Sequence, residues 1–348
     1  MTAFGLNRLD YRDPPRFAAD AARIERLGWD WAFIPDSQLI LPDPWVMLAA
    51  AAASTERIGL GVLVTNPIIR DVTATAASAA TLESLAPGRT LLGYGAGDTA
   101  VRLAGKQPAR VRTIEQAVAD ARVLLRGEPL EMGAREPARL RAARLQPQGP
   151  APVWIAAGGP KTLRAAGRAA DGVFIRVGRD HSNLESAVAE VRAGAEEAGR
   201  RADEVKLGLV VHTILMDDTD RAKRLAKAMA AGFYEYAPYL FDAPGVTWDG
   251  PPVEQLKSQV WPDFHHTADL DAAAARVDFL PDSAADAFAL HGTADTIADG
   301  LNETLAGELA FEIVVPHPMP PPPQRTDGDP SLDYAARFMR EVRHSIDV

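Results

Sequence analysis

The chain contains no cysteine, and this absence excludes several kinds of site at once. Disulfides, thiolate zinc sites, iron–sulfur clusters and a cysteine nucleophile all need that side chain. Long apolar runs are also missing, because the most apolar stretch, residues 45–53, is far shorter than the about 20 residues that span a bilayer. The N-terminus lacks the charged region and apolar run of a signal peptide. We therefore expect a cytoplasmic protein without a membrane segment.

Basic residues are outnumbered, since 47 Asp and Glu stand against 37 Lys and Arg, for a net charge of −10. This balance argues against a nucleic-acid partner, which requires a basic face. The hydrolase motif GxSxG and the zinc-protease motif HExxH are absent. His265 and His266 are adjacent, so they do not share one helix face, and no metal site is expected.

What is present is a regular alternation of short β-branched or aromatic runs with helical patterns. The predicted strands are 3–6, 31–34, 58–64, 90–94, 153–156, 173–177, 207–215 and 311–315. Each of the eight is followed by a helical pattern, and apolar strands between amphipathic helices indicate a parallel sheet that is covered on both faces. Eight such units predict one α/β domain over residues 1–348, a (β/α)8 TIM barrel. An open doubly wound sheet remains the alternative.

Three segments interrupt this alternation and are predicted to lie outside the barrel. Residues 128–148 are rich in Arg and Pro and predict a surface excursion. Residues 239–287 form a larger insertion, which either shapes a substrate pocket or is a solvated excursion or subunit contact. A proline-rich connection leads to a final helix at 332–344.

The strand ends carry the candidate chemistry, because active sites of barrels lie at the carboxyl ends of the strands. Gly158 and Gly159 follow the fifth strand and open a helix, so backbone N–H groups there can hold an anion such as a phosphate. The alternative is a tight turn that needs positive φ at glycine. Gly93, Gly95 and Gly97 are spaced GxGxG rather than GxGxxG, which excludes a nicotinamide-binding fingerprint.

At these strand ends the sequence resembles the bacterial luciferase-like superfamily, in particular the branch with methylenetetrahydromethanopterin reductase and other enzymes that use the deazaflavin coenzyme F420. The resemblance lies in WAFIPDSQLILPDPWVMLAAAAASTERIGLGVLVTNPIIRD, ATLESLAPGRTLLGYGAGDTAVRLAGKQPA and PVWIAAGGPKTLRAAGRAADGVFI, with a weaker match in HGTADTIADGL. These stretches cover most of residues 1–180. The resemblance implies a (β/α)8 barrel with the cofactor ring at the carboxyl ends of the strands.

The resemblance also implies roles for particular residues. It predicts a cis peptide bond at Leu63–Val64 beside the cofactor ring. The residues expected to bind the cofactor are Asp36, Leu63, Val64, Asn66, Gly97, Asp98, Thr99, Ala157, Gly158, Gly159 and Arg176. Of these, the resemblance assigns Ala157, Gly158 and Gly159 to the cofactor phosphate, and Arg176 is included because it follows the sixth strand.

One departure concerns the residue after the second strand. Several deazaflavin reductases have Asp-His there, whereas this chain has Asp36-Ser37. Serine donates a hydrogen bond but is no acid near neutral pH. Asp36, Ser37 or a residue of the 239–287 insertion is then expected to orient or protonate the substrate. The alternative for Asp36 is that it braces its loop.

The resemblance implies an oxidoreductase that transfers a hydride between coenzyme F420 and a small organic substrate. A two-component monooxygenase that uses reduced FMN and dioxygen is the first alternative, and a non-catalytic flavin-binding or cofactor-free relative is the second. Relatives suggest a homodimer through the Ala- and Leu-rich helices of residues 44–86. A separate flavin or F420 reductase is the expected source of reduced cofactor.

Overall fold

The computed structural model describes residues 2–307, 309–319 and 330–346. Nine strands are present in these residues: β1 Ala3–Leu6, β2 Trp31–Ile34, β3 Gly59–Thr65, β4 Thr90–Tyr94, β5 Val153–Ala157, β6 Gly172–Ile175, β7 Lys206–Leu215, β8 Ala289–Gly292 and β9 Ile313–Pro318. The helices are α1 Pro14–Leu27, α2 Pro44–Ala52, α3 Val72–Leu85, α4 Asp98–Leu103, α5 Val111–Leu125, α6 Pro160–Ala169, α7 His181–Glu197, α8 Thr219–Tyr236, α9 Val253–Lys257, α10 Leu270–Arg276, α11 Asp282–Phe288, α12 Ala294–Leu305 and α13 Pro330–Arg337. None of the described helices is long and apolar enough to cross a membrane.

The chain divides into two compact units, and the first contains Ala3–Phe174 and Glu190–Gly208. Its strands lie in the order β6-β5-β4-β3-β2-β1. The pairs from β1 to β5 are parallel, with Gly5 opposite Trp31 and Tyr94 opposite Ile155. Because parallel strands all end at the same edge, the loops after β2, β3, β4 and β5 meet there.

Aromatic rings fill the core of this unit beside strand glycines. The ring of Phe174 lies edge-on to Phe33 at 5.6 Å between centroids and 4.6 Å from Trp154. A Cβ at Gly61 would lie 2.7 Å from the Phe33 ring, and one at Gly172 would lie 2.4 Å from the Trp154 indole. These glycines therefore leave the space that the large rings occupy.

The second unit contains Ile175–Ala189 and the described part of residues 209–348. Its strands lie in the order β9-β7-β8, and β7 runs parallel to β8 with His212 opposite Ala289. The 239–287 insertion has an aromatic core of its own, in which Tyr234 stacks on Trp248 at 4.3 Å. Trp261, by contrast, is 77% exposed.

All eight predicted strands are present, and five neighbouring features differ from the prediction. The helix predicted at 109–125 begins two residues later, at Val111. A separate short helix, α4, was not predicted; it follows the glycine-rich turn, where Asp98 favours a helix start. The short strand β8 was missed, since four residues directly after α11 carry no alternation of their own. The last strand is Ile313–Pro318 rather than 311–315. The final helix is α-helical to Arg337 and continues as a π-helix, Phe338–Val342.

The excursion at 128–148 is largely exposed, as predicted, and contains a 3-10 turn at Arg141–Leu145. The single-domain assignment over residues 1–348 stays a prediction.

Candidate active site

The loop after β2 lies against the end of β3. The Leu63–Val64 peptide bond is cis, which confirms the prediction from the sequence. The backbone N–H of Asp36 donates to the Val64 carbonyl at 3.3 Å. A strand irregularity between Val62 and Thr65 accompanies this arrangement. The structure therefore brings Asp36, Leu63 and Val64 together, as the sequence predicted.

The carboxylate of Asp36 is fully engaged by donors. Arg70 donates from Nε at 2.5 Å and from Nη2 at 3.2 Å, and Thr65 donates its hydroxyl at 2.7 Å. The Asp36 side chain is 1% exposed, so the charge of Arg70 compensates a buried carboxylate. Arg70 also donates to Asp43 at 2.8 Å, which joins this loop to the first turn of α2. These contacts favour the bracing role of Asp36 over a role as proton donor.

Ser37 and Gln38 continue from Asp36 into a turn. The Ser37 carbonyl accepts hydrogen bonds from the N–H groups of Ile40 at 2.8 Å and Leu41 at 2.9 Å. The side-chain oxygen of Gln38 and the indole nitrogen of Trp45 are buried without a hydrogen-bond partner. Since buried polar atoms are normally paired, each of these two atoms can still form one further hydrogen bond.

Glycines at the end of β4 serve close packing on β3. A Cβ at Gly93 would lie 2.5 Å from the Val62 carbonyl oxygen, and one at Gly95 would lie 2.7 Å from a Val64 methyl. Gly97 has φ +77°, and a Cβ there would lie 2.5 Å from the Asn66 amide carbon. The GxGxG spacing is therefore required for packing and turn geometry, in line with the rejection of a nicotinamide fingerprint.

Asn66 holds the loop after β3 in place. Its side chain is buried, and Oδ1 accepts the N–H groups of Ile68 at 3.1 Å and Ile69 at 2.9 Å. Asp98 and Thr99 begin α4 directly after Gly97, and Asp98 pairs with Arg102 one turn later. Asn66 and Gly97 are thus in contact, and Asp98 and Thr99 follow at the same strand edge.

The turn after β5 opens directly into α6. Gly159 caps this helix with φ −84° and ψ 145°, values that any residue adopts, and its N-cap makes no side-chain hydrogen bond. Positive φ is recorded at neither Gly158 nor Gly159, so the tight-turn explanation for this pair is wrong. A Cβ at Gly159 would meet nothing within 4 Å. Open space in front of a helix N-terminus suits an anion.

Arg176 lies in the second unit, immediately after β6, near two buried histidines. His212 on β7 and His265 in the insertion have ring centroids 4.5 Å apart, and His317 on β9 lies 5.4 Å from His212. Burial, and then the charge of Arg176, lower the pKa of His265 to about 3. Burial, and then the neighbouring histidines, lower the pKa of His212 well below its usual value.

Sequence reasoning missed Arg70 and the grouping of the histidines. Arg70 lies within the quoted stretch NPIIRD, four residues after Asn66, so a charge in an otherwise apolar loop was an available signal. The histidines come from β7, β9 and the insertion, more than fifty residues apart in sequence, and no local pattern links them.

Comparison with known proteins decides the family. The sequence profile described as luciferase-like monooxygenase matches residues 3–309. This chain belongs to the luciferase-like family.

Relatives of this luciferase-like chain include a methanopterin reductase and dehydrogenases that are named F420-dependent. The chain is 29% identical over 315 residues to a 5,10-methylenetetrahydromethanopterin reductase of Methanolobus tindarius, covering 87% of this chain and 90% of the relative. It is 37% identical over 216 residues to an F420-dependent glucose-6-phosphate dehydrogenase of Nocardia farcinica, covering 55% of this chain and 62% of the relative.

Solved structures show the fold of this luciferase-like chain. The coenzyme F420 dependent tetrahydromethanopterin reductase of Methanopyrus kandleri superposes with a TM-score of 0.77 at 24% identity, covering 99% of each chain. The fold is therefore a (β/α)8 barrel, as predicted from the strand and helix alternation.

Proposed function

We propose that this chain is an oxidoreductase that transfers a hydride between coenzyme F420 and a small organic substrate. The observation that supports this most is the open helix N-terminus at Gly159, combined with F420-dependent glucose-6-phosphate dehydrogenases that match 61% and 55% of the chain. We expect it to act in the cytoplasm, with a separate reductase or dehydrogenase renewing the cofactor.

The residues of the first unit fit a deazaflavin with a phosphate. Backbone N–H groups at Ala157, Gly158 and Gly159 would hold the phosphate, since these residues directly precede the N-terminus of α6, where the helix dipole favours an anion. Gln38 and Trp45 each offer one unpaired polar atom to the ligand. The bound deazaflavin supplies the hydride chemistry, while the protein orients the substrate and excludes water.

Within this proposal, Asp36 holds a loop and takes no part in proton transfer. Both of its oxygens accept hydrogen bonds from Arg70, and Thr65 adds a third. Arg70 then connects the loop to Asp43. Burial alone would raise the pKa of Asp43, but the hydrogen bond and charge of Arg70, together with backbone N–H groups of α2, lower it overall. This bracing keeps Ser37 and Gln38 at the strand edge where Asn66 and Gly97 lie.

The activity is tested by mixing the protein with oxidised F420 and panels of alcohols and sugar phosphates, and with reduced F420 and panels of ketones and enones. We expect the absorbance of the deazaflavin to change with at least one class of substrate. Substrate-dependent oxygen consumption with reduced FMN, and no reaction with F420, would contradict the proposal and assign the monooxygenase alternative.

Gly159→Val tests the phosphate site directly. The side chain enters open space at φ −84° and ψ 145°, so we expect an unchanged melting temperature. The valine side chain also blocks the approach of a ligand to the N-terminus of α6. Because each backbone hydrogen bond to a phosphate contributes about 1.5–3 kcal/mol, we expect the dissociation constant for F420 to rise at least tenfold.

The control is the deazaflavin riboside without a phosphate, titrated into both proteins by fluorescence quenching. We expect Gly159→Val to leave its affinity unchanged. An equal loss of affinity for both ligands would show that the phosphate does not bind at this turn.

We also propose a homodimer formed through the exposed apolar side chains near α2. Leu39 is 62% exposed, Ile40 53% and Val46 57%, although all three are large and hydrophobic. Apolar residues grouped on a surface commonly mark an interface. We expect sedimentation velocity to show a dimer for the native protein and a monomer for Val46→Lys; a native monomer at micromolar concentration would remove the dimer.

A further inference from the structure

Helix α2 has no polar side, although part of it faces solvent. All nine of its residues are apolar. The buried side, which packs on the protein, contains Pro44, Met47, Leu48, Ala51 and Ala52. Val46, by contrast, is 57% exposed. A helix that is apolar all round is typical of a position that is covered on every side, and in the single chain α2 is left open at Val46.

Helix α3, which packs against α2, exposes no charge either. Among its residues, Val72–Leu85, only Glu83 is charged, and Glu83 is 2% exposed and accepts the N–H of Gly88. The exposed residues of the two helices form what we call the charge-free face: Val46, Ala74, Thr81, Ser84 and Leu85. Charged residues make up 24% of the chain, and their depletion from one surface is typical of the centre of a protein interface.

A second copy of this chain is the partner that the charge-free face fits. The chain has a net charge of −10, so two copies repel each other where they meet through charged surfaces. In a dimer with two-fold symmetry each patch meets the same patch of the other copy, and a face without charges places no like charges together. A membrane surface would instead require Lys and Arg beside the apolar residues.

The apolar surface continues from α2 onto the loop that precedes this helix. Leu39 is 62% exposed and Ile40 is 53% exposed, and Val46 follows them in the first turn of α2. Leu39 and Ile40 come directly after Ser37 and Gln38, which belong to the candidate active site. One short segment, residues 37–46, therefore carries both site residues and exposed apolar side chains.

The two ends of this loop are held firmly. Arg70 donates to Asp36 and, from Nη2, to Asp43 at 2.8 Å. Thr65 adds a hydrogen bond to Asp36 at 2.7 Å. These contacts fix where the loop leaves β2 and where it enters α2.

The middle of the loop is held less firmly. The N–H groups of Ile40 and Leu41 donate to the Ser37 carbonyl, so these hydrogen bonds stay within the loop itself. The bond that Gln38 Nε2 donates to the Ala100 carbonyl is 3.5 Å long, beyond the usual range for an N–H donor. Leu39 and Ile40 point much of their apolar surface to solvent, and a partner that covers them would add the packing that the loop lacks.

We propose that a second copy of the chain covers Leu39 and Ile40 together with the charge-free face, and that this contact orders Ser37 and Gln38 for cofactor binding. Dimerisation and F420 affinity are then coupled. The inference deepens the proposed function and rests on it, because it makes the cofactor site depend on assembly. A monomer whose loop has the binding geometry for about a fifth of the time binds F420 about fivefold more weakly.

Sedimentation velocity of the full chain tests how far the interface extends. Val46→Lys and Leu39→Lys each place a charge at an exposed position, so circular dichroism should show the native fold. We expect the native protein to be a dimer and both variants to be monomers at micromolar concentration. Leu145→Lys is the matched control, since Leu145 is a 42% exposed leucine in the 128–148 excursion, and it should remain dimeric.

Hydrogen exchange without any cofactor tests whether the dimer orders the loop. The amide protons of Ile40 and Leu41 should exchange about tenfold faster in monomeric Val46→Lys than in the native dimer, because an uncovered loop opens more often. The amides of β4, whose residues are all buried, should exchange equally in both proteins.

Fluorescence titration then measures the coupling itself. Val46→Lys should bind F420 about fivefold more weakly than the native dimer, and Leu145→Lys should match the native protein. Because the coupling between two binding events is reciprocal, saturating F420 should lower the dimer dissociation constant by at least the same factor.

Four results would each overturn the proposal: a native monomer, a Leu39→Lys variant that dimerises like the native protein, unchanged exchange at Ile40 and Leu41 in monomeric Val46→Lys, or equal F420 affinities of monomer and dimer. Failure of every form to bind F420 would contradict the proposed function instead. The two failures are distinct, because sedimentation and hydrogen exchange are measured without cofactor and decide the ordering of the loop alone.

Discussion

Replacing Arg70 by methionine is expected to lower the free energy of unfolding by about 3–5 kcal/mol. Arg70 provides two of the three side-chain hydrogen bonds to the Asp36 carboxylate, whose side chain is 1% exposed. Removing the guanidinium leaves a buried negative charge with Thr65 as its remaining side-chain donor. The loss is measured by urea unfolding followed by circular dichroism.

Two further variants separate this effect from a general loss of charge. Arg102→Met removes an exposed pair with Asp98 and should cost no more than about 1 kcal/mol. The double variant Asp36→Leu with Arg70→Met removes both charges and should recover part of the lost stability. If Arg70→Met and Arg102→Met cost the same, the Asp36–Arg70 pair does not brace this loop.

Acidification is expected to destabilise the protein steeply below pH 6.5. His265 has a folded-state pKa of about 3, and that of His212 is also far below 6.5, because burial and the charge of Arg176 oppose the imidazolium forms. The unfolded chain therefore binds protons between pH 6.5 and 3 that the folded chain does not. His265 alone then reduces the free energy of unfolding by about 1.4 kcal/mol per pH unit of acidification in that range, and His212 adds to the loss as the pH falls below 6.5.

The slope, rather than the absolute stability, identifies the residue. Urea unfolding at pH 7, 6 and 5 should give a slope for His265→Gln that is smaller by about 1.4 kcal/mol per pH unit. His181→Gln, at an exposed position of α7, should retain the native slope. An unchanged slope in His265→Gln would show that this histidine is already protonated in the folded protein.

The sequence predicted the strands well because each is a short apolar run between turn residues, and parallel strands place their ends at one edge. It also placed Asp36, Asn66 and Gly97 at that edge, and the resemblance located the cis bond at Leu63–Val64. These features depend on residues that are close in sequence or on motifs with a fixed spacing.

Other features depend on contacts that no local pattern records. The three neighbouring histidines described above come from β7, the insertion and β9, and the pairing of Arg70 with Asp36 spans 34 positions. The function of the Gly158-Gly159 turn was left open by the sequence. The structure excludes the alternative of a turn that requires positive φ, because Gly159 has ordinary backbone angles. The space around Gly159 is empty, which leaves room for an anion.

The measurement that tests the central claim most directly is a fluorescence titration of the native protein with oxidised F420 and, in parallel, with oxidised and reduced FMN. The account predicts saturable quenching with F420 at micromolar or lower concentration and at least tenfold weaker binding of either form of FMN. Tighter binding of reduced FMN than of F420 would contradict the deazaflavin assignment and indicate a monooxygenase. Binding of neither would contradict the assignment of this chain as a cofactor-dependent oxidoreductase.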